Sequence, residues 1–326
     1  MLLEVENLTV NFTTHKGLLY AVRGVDLRLK EGELLGIVGE SGSGKSVTAH
    51  ALMRLIPGNG DISGGSVRYQ GEEVFSFGRE QLRRYRGGEV SMIFQEPGRS
   101  FDPIYTVGKA MEETIRAHAP ELSAEEVTRR SLQLLREVHI PFPEERLENF
   151  PHQFSGGLLQ RVMIALALAS DPKILIADEP TTALDVTIQA GIIDLLVELK
   201  RRRNLAIIFI THNLGLIGSI ADRIAVMYHG LVLEHGPASA VLDHPHHPYT
   251  RALLNAILPF GAHYTKEPLE IVGGTVPDPH APEPGCPFAP RCPLVRAECR
   301  TEVPPLQEEA GREHRCVIPG EKERHR

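Results

Sequence analysis

The 326-residue chain is long enough for one large or two modest domains around a buried core. Its 42% hydrophobic and 24% charged residues are ordinary for a soluble globular protein. A formal net charge of −7 argues against a dedicated nucleic-acid binder, in which a basic domain is the rule.

The opening MLLEVENLTV places Glu4 and Glu6 where a signal peptide needs a basic stretch and an apolar run. The longest apolar run, Val162 to Ala169, is far short of the roughly 20 residues that span a bilayer. The chain is therefore expected in the cytosol, with any membrane role peripheral. A reducing cytosol makes disulfides unfavourable.

LLGIVGESGSGKSVTAHALMRLI reads as an apolar strand, a glycine turn and a helix. Gly39, four residues and then Gly44-Lys45-Ser46 complete a phosphate-binding loop. Glycines let backbone N–H groups converge on phosphates, and the helix that follows presents its positive end. Lys45 would reach the β- and γ-phosphates and the Ser46 hydroxyl would ligate Mg²⁺. A Gly/Ser-rich linker could match by chance, but it would lack the strand before and the helix after.

Further on, SAEEVTRRSLQLLREV predicts a helix with Ser123 and Glu126 as its capping box. QFSGGLLQRVMIALALA predicts another, apolar helix, whose Ser155 can cap and whose dipole attracts phosphate. One nucleotide does not need two such helices from one chain, so this one is expected to serve a nucleotide bound by a second subunit. In PKILIADEPTTALD, Ile174 to Ala177 reads as a strand buried on both faces. It delivers Asp178 and Glu179 at its C-terminal end, where open α/β sheets bind ligands. Asp178 suits Mg²⁺ and Glu179 suits activation of a water. LAIIFITHN is a third strand, ending near His212; a lone histidine is more often structural, but its place at the mouth of the sheet favours function. The run Lys200 to Arg203 complements the dipole at a helix end more simply than it binds nucleic acid.

The phosphate loop, Gln95 in IFQEP, Ser155-Gly156-Gly157, ADEP at 177–180, TALD at 182–185 and THN at 211–213 stand in the order of an ATP-binding-cassette ATPase, which residues 1–235 resemble. The resemblance implies an α/β fold: a RecA-like core, a small antiparallel β subdomain and a helical subdomain at about 97–165. It assigns ATP to Gly39, Ser41, Gly42, Ser43, Gly44, Lys45, Ser46 and Val47, with Ser46, Gln95 and Asp178 at Mg²⁺. Glu179 is implied as general base, His212 as a γ-phosphate contact, and Gln95 as the group coupling metal to the membrane partner. Ser155, Gly156 and Gly157 face the opposing subunit's γ-phosphate, and Asp185 crosses the dimer interface. An aromatic is expected to stack on adenine: Phe12, with Tyr20 as the alternative. The family signature Leu-Ser-Gly-Gly-Gln is altered here at Phe154 and Leu158.

A single uninterrupted cassette resembles a transporter motor more than the soluble repair or translation proteins, which usually carry two cassettes or an inserted coiled coil. HPHHPYTRALLNAILP resembles the segment after the cassette in dipeptide, oligopeptide and nickel importers. The implied partners are a second ATPase subunit (a distinct paralogue by family habit), two transmembrane permeases and an extracytoplasmic solute-binding protein. The implied place is the cytoplasmic face of the membrane. An ATPase for nickel or another small solute, or a soluble cassette protein, is the alternative.

His244, His246 and His247 invite a metal, but the prolines between them predict an irregular turn before a helix. The region 236–326 reads as an irregular tail: from residue 261 it holds 11 of the 24 prolines and needs a staple. Cys286, Cys292, Cys299 and Cys316, the only cysteines, are spaced C-x5-C-x6-C-x16-C, without paired C-x2-C knuckles. The residues alone leave a cluster, zinc or free thiols open. The importer family contains members with a [4Fe–4S] cluster in this tail, so the resemblance favours that cluster with zinc as alternative. No motif ties the cysteines to the nucleotide, and ATP hydrolysis is expected largely to persist when one of them is lost.

Overall fold

The structure, a computed structural model, describes residues 1–182, 184–256, 273–309 and 311–320. It has two compact units. The first comprises Met1–Leu29, Glu33–Phe75 and Thr211–Arg326, and the second Lys30–Gly32 and Ser76–Ile210.

The first unit opens with the antiparallel pair β1 (Leu3–Thr14) and β2 (Gly17–Leu29). Buried Leu3, Val5, Leu8 and Val10 face the core, and the register slips at Asn7, whose φ is +48. The wholly buried β3 (Leu34–Val38) runs through the glycine loop into α1 (Lys45–Leu52). β4 (Gly60–Tyr69) and the short β5 (Glu72–Glu73) complete an antiparallel sheet of order β2-β1-β4-β5.

The second unit contains α2 (Arg79–Arg84), β6 (Val90–Ile93), α3 (Pro97–Ser100), α4 (Val107–His118), α5 (Ala124–Glu137), α6 (Pro143–Arg146), α7 (Gly156–Ala167), β7 (Ile174–Asp178), α8 (Val186–Arg203) and β8 (Ala206–Thr211, through Ile210). Strands β6, β7 and β8 are parallel neighbours, and β7 is buried along its whole length. The capping box at α5 forms as expected: Glu126 N donates to Ser123 Oγ at 3.3 Å and Ser123 N donates to Glu126 Oε2 at 2.8 Å. The basic run ends α8, where Arg203 pairs with Glu137 and Asp171.

The chain returns to the first unit with α9 (Leu214–Gly218), β9 (Arg223–Tyr228), β10 (Leu231–Pro237), α10 (Ala238–Asp243) and α11 (Pro248–Asn255). β9 is parallel to β3 and forms a two-residue hairpin with β10. Its turn residues, His229 and Gly230, have φ of +48 and +79, the geometry that matches strand twist in a tight hairpin. The tail is not wholly irregular. β11 (Gln307–Glu309) and β12 (Arg312–His314) add to the sheet, giving the order β11-β12-β10-β9-β3 within this unit. Three-residue strands are too short for periodicity to reveal; they exist because β10 offers an edge to pair with.

The histidine segment behaves as the prolines imply. His247 caps α11, accepting from Tyr249 N on Nδ1 at 3.0 Å, with Pro248 at the first helical position. Beneath it the buried Glu234 carboxylate accepts from His246 N at 2.8 Å and His247 N at 2.9 Å.

Candidate nucleotide site and cysteine lobe

The phosphate loop of the first unit closes on its own lysine. Lys45 Nζ donates to Gly39 O at 2.8 Å and Glu40 O at 3.0 Å, with Ser43 Oγ at 3.4 Å. Two glycines are fixed by close approach: a Cβ on Gly39 would stand 2.1 Å from Met227 O, and one on Gly44 2.5 Å from Ala21 O. Gly44 also has φ +99, a left-handed conformation that side chains resist. The β9–β10 turn clamps the loop from below. Gly230 N donates to Ser43 O at 3.0 Å, and Gly230 O accepts from Arg23 N at 2.8 Å. The loop therefore keeps its shape through backbone contacts, with Ser41 and Gly42 exposed and Ser46 and Val47 half-buried in the first turn of α1. A rigid concave backbone with a buried ammonium at its centre is chemistry for a polyphosphate.

His212 follows β8 and is exposed; beside it Asn213 caps α9, accepting from Leu216 N at 3.1 Å. On β1, Phe12 pairs with Leu19 and its ring lies against Gly60, where a Cβ would be 2.6 Å from the ring. Tyr20 pairs with Asn11, so the two candidate aromatics occupy opposite faces of the hairpin.

In the second unit, β7 carries Asp178, which is 3% exposed, and ends at Glu179. Glu179 sits at φ +46, a conformation that costs energy for a non-glycine residue and is found at functional sites. Its Oε2 accepts from Gln95 Nε2 at 3.1 Å and from Thr182 Oγ1 at 2.8 Å. Thr182 is a residue that sequence reasoning did not single out; only the reversal of the chain after Glu179 brings its hydroxyl back. Ser155 caps α7, accepting from Leu158 N at 3.4 Å, and Ser155 and Gly156 are exposed at that helix start. Gly157 is buried against Ile188, whose Cγ2 would stand 2.6 Å from an added Cβ. Asp185 caps α8 in the same way, accepting from Ile188 N at 3.0 Å, beside Val186 at 82% exposure. Two capped helix starts and an exposed apolar side chain thus share one surface of this unit.

The four cysteines form no disulfide and line one small cavity of about 20 Å³, with His247 and Phe288. Burial, with the neighbouring thiols adding to it, pushes the Cys286 thiol up to about 12, and Cys316 up to about 11. His247 Nδ1 accepts from Tyr249 N, so its Nε2 carries the proton and points it at Cys286 Sγ, 3.9 Å away. Burial holds that imidazole neutral, near 3. Four convergent thiols with an N–H aimed at one sulfur fit a thiolate-ligated centre.

Another group lies close by. Ligand atoms of His246, Glu309 and His314 are all within 4.8 Å of one another. Arg312 donates to His246 Nε2, and a guanidinium can only donate, so the ring proton stays on Nδ1, 3.7 Å from Glu309. A metal on Nδ1 would need a proton on Nε2, facing a donor. The neutral His246 ring is thus held by Arg312 in a hydrogen-bonded arrangement that does not suit a metal.

The cysteine lobe touches the phosphate loop: Arg291, the residue before Cys292, forms a two-pronged ion pair with Glu40, the residue after Gly39. The contact joins residues 251 apart, which no local motif can announce.

The comparisons with known proteins match both halves of the chain. An ABC transporter model covers residues 22–182, and a model of the oligopeptide/dipeptide transporter C-terminal region covers 233–299. The chain is 47% identical over 315 residues to a putative peptide import ATP-binding protein of Brucella abortus, covering 97% of this chain and 94% of that one. It is 46% identical over 321 residues to the dipeptide transport ATP-binding protein DppD of Escherichia coli, covering 98% and 97% respectively. Among solved structures, the dimeric bacterial ABC transporter cassette MJ0796 superimposes with a TM-score of 0.65 at 29% identity, over 72% of this chain and 98% of its own.

Proposed function

The chain belongs to the ABC transporter family, in its oligopeptide/dipeptide branch, and from that premise we propose that it hydrolyses ATP to drive peptide import. The observation that carries the reading is the loop closed around Lys45, in a chain whose relatives align along nearly its whole length.

In this reading Gly39 to Val47 cradle the phosphates, and Ser46, Gln95 and Asp178 hold Mg²⁺. Glu179 takes the proton of the attacking water, oriented by Gln95 and Thr182, while His212 contacts the γ-phosphate and Phe12 stacks on adenine. Ser155, Gly156, Gly157 and Asp185 complete the site of a second ATPase subunit. Among the described residues no helix is long and apolar enough to cross a membrane. Two permease subunits and a solute-binding protein form the rest of the importer, with this subunit at the cytoplasmic face. A [4Fe–4S] cluster, held by Cys286, Cys292, Cys299 and Cys316, staples the tail; zinc is the alternative. Support comes from four thiols lining one cavity and the His247 proton directed at Cys286. The test is reconstitution: the subunit purified with its membrane partners in vesicles should hydrolyse ATP faster when a peptide and the binding protein are added. Peptide-independent hydrolysis, with stimulation by another solute, would reassign the cargo.

A further inference from the structure

Glu40 lies inside the phosphate loop, yet its side chain and backbone N–H are gripped from outside the loop. Its two carboxylate oxygens accept from the two ends of one guanidinium, Arg291 Nη1 to Oε2 at 2.8 Å and Nη2 to Oε1 at 3.0 Å. Its backbone N–H donates to Tyr249 Oη at 2.9 Å. Its carbonyl faces inward, accepting from Lys45 Nζ at 3.0 Å and Ser43 N at 3.2 Å. Glu40 is a joint: outward groups grip the C-terminal region, and the inward group sets the lysine and an amide of the cradle.

The gripping side is built to stay still. Arg291 is 4% exposed in its side chain. Its Nε donates to Gly273 O at 2.8 Å and its Nη1 also to Tyr228 Oη at 3.0 Å. The guanidinium lies 5.6 Å from the Tyr228 ring centre and 5.9 Å from that of Phe288. Buried, stacked and bidentate, the fork has little freedom left to lose, which is the condition for transmitting position. It stands on the short turn Ala289–Arg291, between Cys286 and Cys292.

We propose that Arg291 is a positioning residue for ATP binding: through Glu40 it fixes the carbonyl that seats Lys45, so that the cysteine lobe and the phosphate loop respond to each other. The proposal rests on ATP being the ligand of the loop. It assigns Arg291 no contact with the nucleotide. Coupling between two sites is reciprocal, so nucleotide must steady the lobe by as much as the lobe steadies the nucleotide.

The test uses the full chain with wild type, Arg291→Gln, Arg291→Lys, Glu40→Gln and the Glu40→Gln/Arg291→Gln double variant. Equilibrium binding of a fluorescent ATP analogue with Mg²⁺ is measured beside melting temperature and amide exchange. Arg291→Gln should weaken binding at least about fivefold, the lower end of ordinary couplings between sites. Arg291→Lys, which keeps the charge and loses the fork, should fall between it and wild type. The double variant should be no weaker than Arg291→Gln, because no carboxylate is left unpaired. Adding nucleotide should slow exchange across residues 286–299 in wild type and not in Arg291→Gln. Unchanged affinity in a folded Arg291→Gln protein overturns the proposal. If that variant does not fold, unchanged affinity in Arg291→Lys overturns it instead. Lys45→Ala serves as the separate control: if it binds nucleotide as wild type does, the ATP reading fails and not the role of Arg291.

Discussion

Gln95 Nε2 and Thr182 Oγ1 donate to the same oxygen of Glu179, at 3.1 and 2.8 Å. Both are donors, so they hold that oxygen as an acceptor and fix the orientation of the carboxylate. A glutamine at 179 can present its carbonyl to the same two donors and preserve the arrangement. It cannot take a proton. Glu179→Gln should therefore bind ATP nearly as wild type while turnover falls about 10²–10⁴-fold, the usual worth of a general base. Equal losses in binding and turnover, measured by titration and phosphate release, would make Glu179 a structural residue or metal ligand.

The exposed helix start at Ser155 and the exposed Val186 imply a partner surface on the second unit. Glu179→Gln with Mg-ATP should sediment as a two-subunit species, and Ser155→Arg added to it should return the protein to one subunit. A single-subunit preparation with full activity would remove the composite site.

The thiol lobe predicts a colour. Anaerobically purified protein should be brown and carry about four irons per chain, as a cluster held by four cysteines requires. Serine at any of the four should bleach it and open the tail to protease, because metal binding in a core-poor segment is part of its folding. Cys292→Ser should also weaken ATP binding, since Arg291 is its neighbour. Colourless protein with one zinc would keep the staple and change the metal; metal-free protein with four titratable thiols would reject both.

Acid should loosen the junction of β10 and β12. Burial holds His235 below its ordinary range, against the raising effect of Glu313, whose Oε2 is 3.0 Å from Nδ1; Arg223 and Glu33 also face it. The His235 hydrogen bond holds Glu313 down in turn. For both groups the unfolded chain takes up protons that the folded chain resists. Stability is thus complete above about pH 6.5 and falls as the pH drops, first through His235 and then, below about 4.5, through Glu313. The urea midpoint should decrease between pH 7.5 and 5.5, and His235→Gln should flatten that slope. A midpoint that rises on acidification would contradict the assignment.

The cap of α5 offers a local check. Ser123→Ala should cost about 1 kcal/mol, and lower Tm by about 2–4 °C if the unit melts as a domain of ordinary size. No change would mean that the exposed box is held by packing alone.

How much of this was legible before the structure depends on the range of the interaction. The phosphate loop, the strand bearing Asp178 and Glu179, the caps at Ser123 and Ser155 and the turn at His247 all arise from residues within about one turn or strand of each other. Their geometry follows from glycine conformations, hydrophobic runs and side chains bonding to nearby backbone. Thr182, the clamp at Gly230 and the three-residue strands β11 and β12 were not readable. Thr182 depends on the tight reversal after Glu179, the others on a surface supplied by a distant segment, and a short element has no period of its own.

The sequence by itself determined the chemistry on offer: a phosphate cradle with its lysine, two acids at a buried strand end, a second anion-binding helix, and four thiols in a proline-rich tail. Tertiary structure alone decided what those parts are joined to. It put Arg291 against Glu40 and Tyr249 under the same residue, across 251 and 209 positions of chain. A buried arginine needs an acceptor for its fork and a loop amide needs a partner, but composition and spacing do not say which one. Only the packing of β9, α11 and the turn before Cys292 around Tyr228 selects Glu40 and thereby links the tail to the loop.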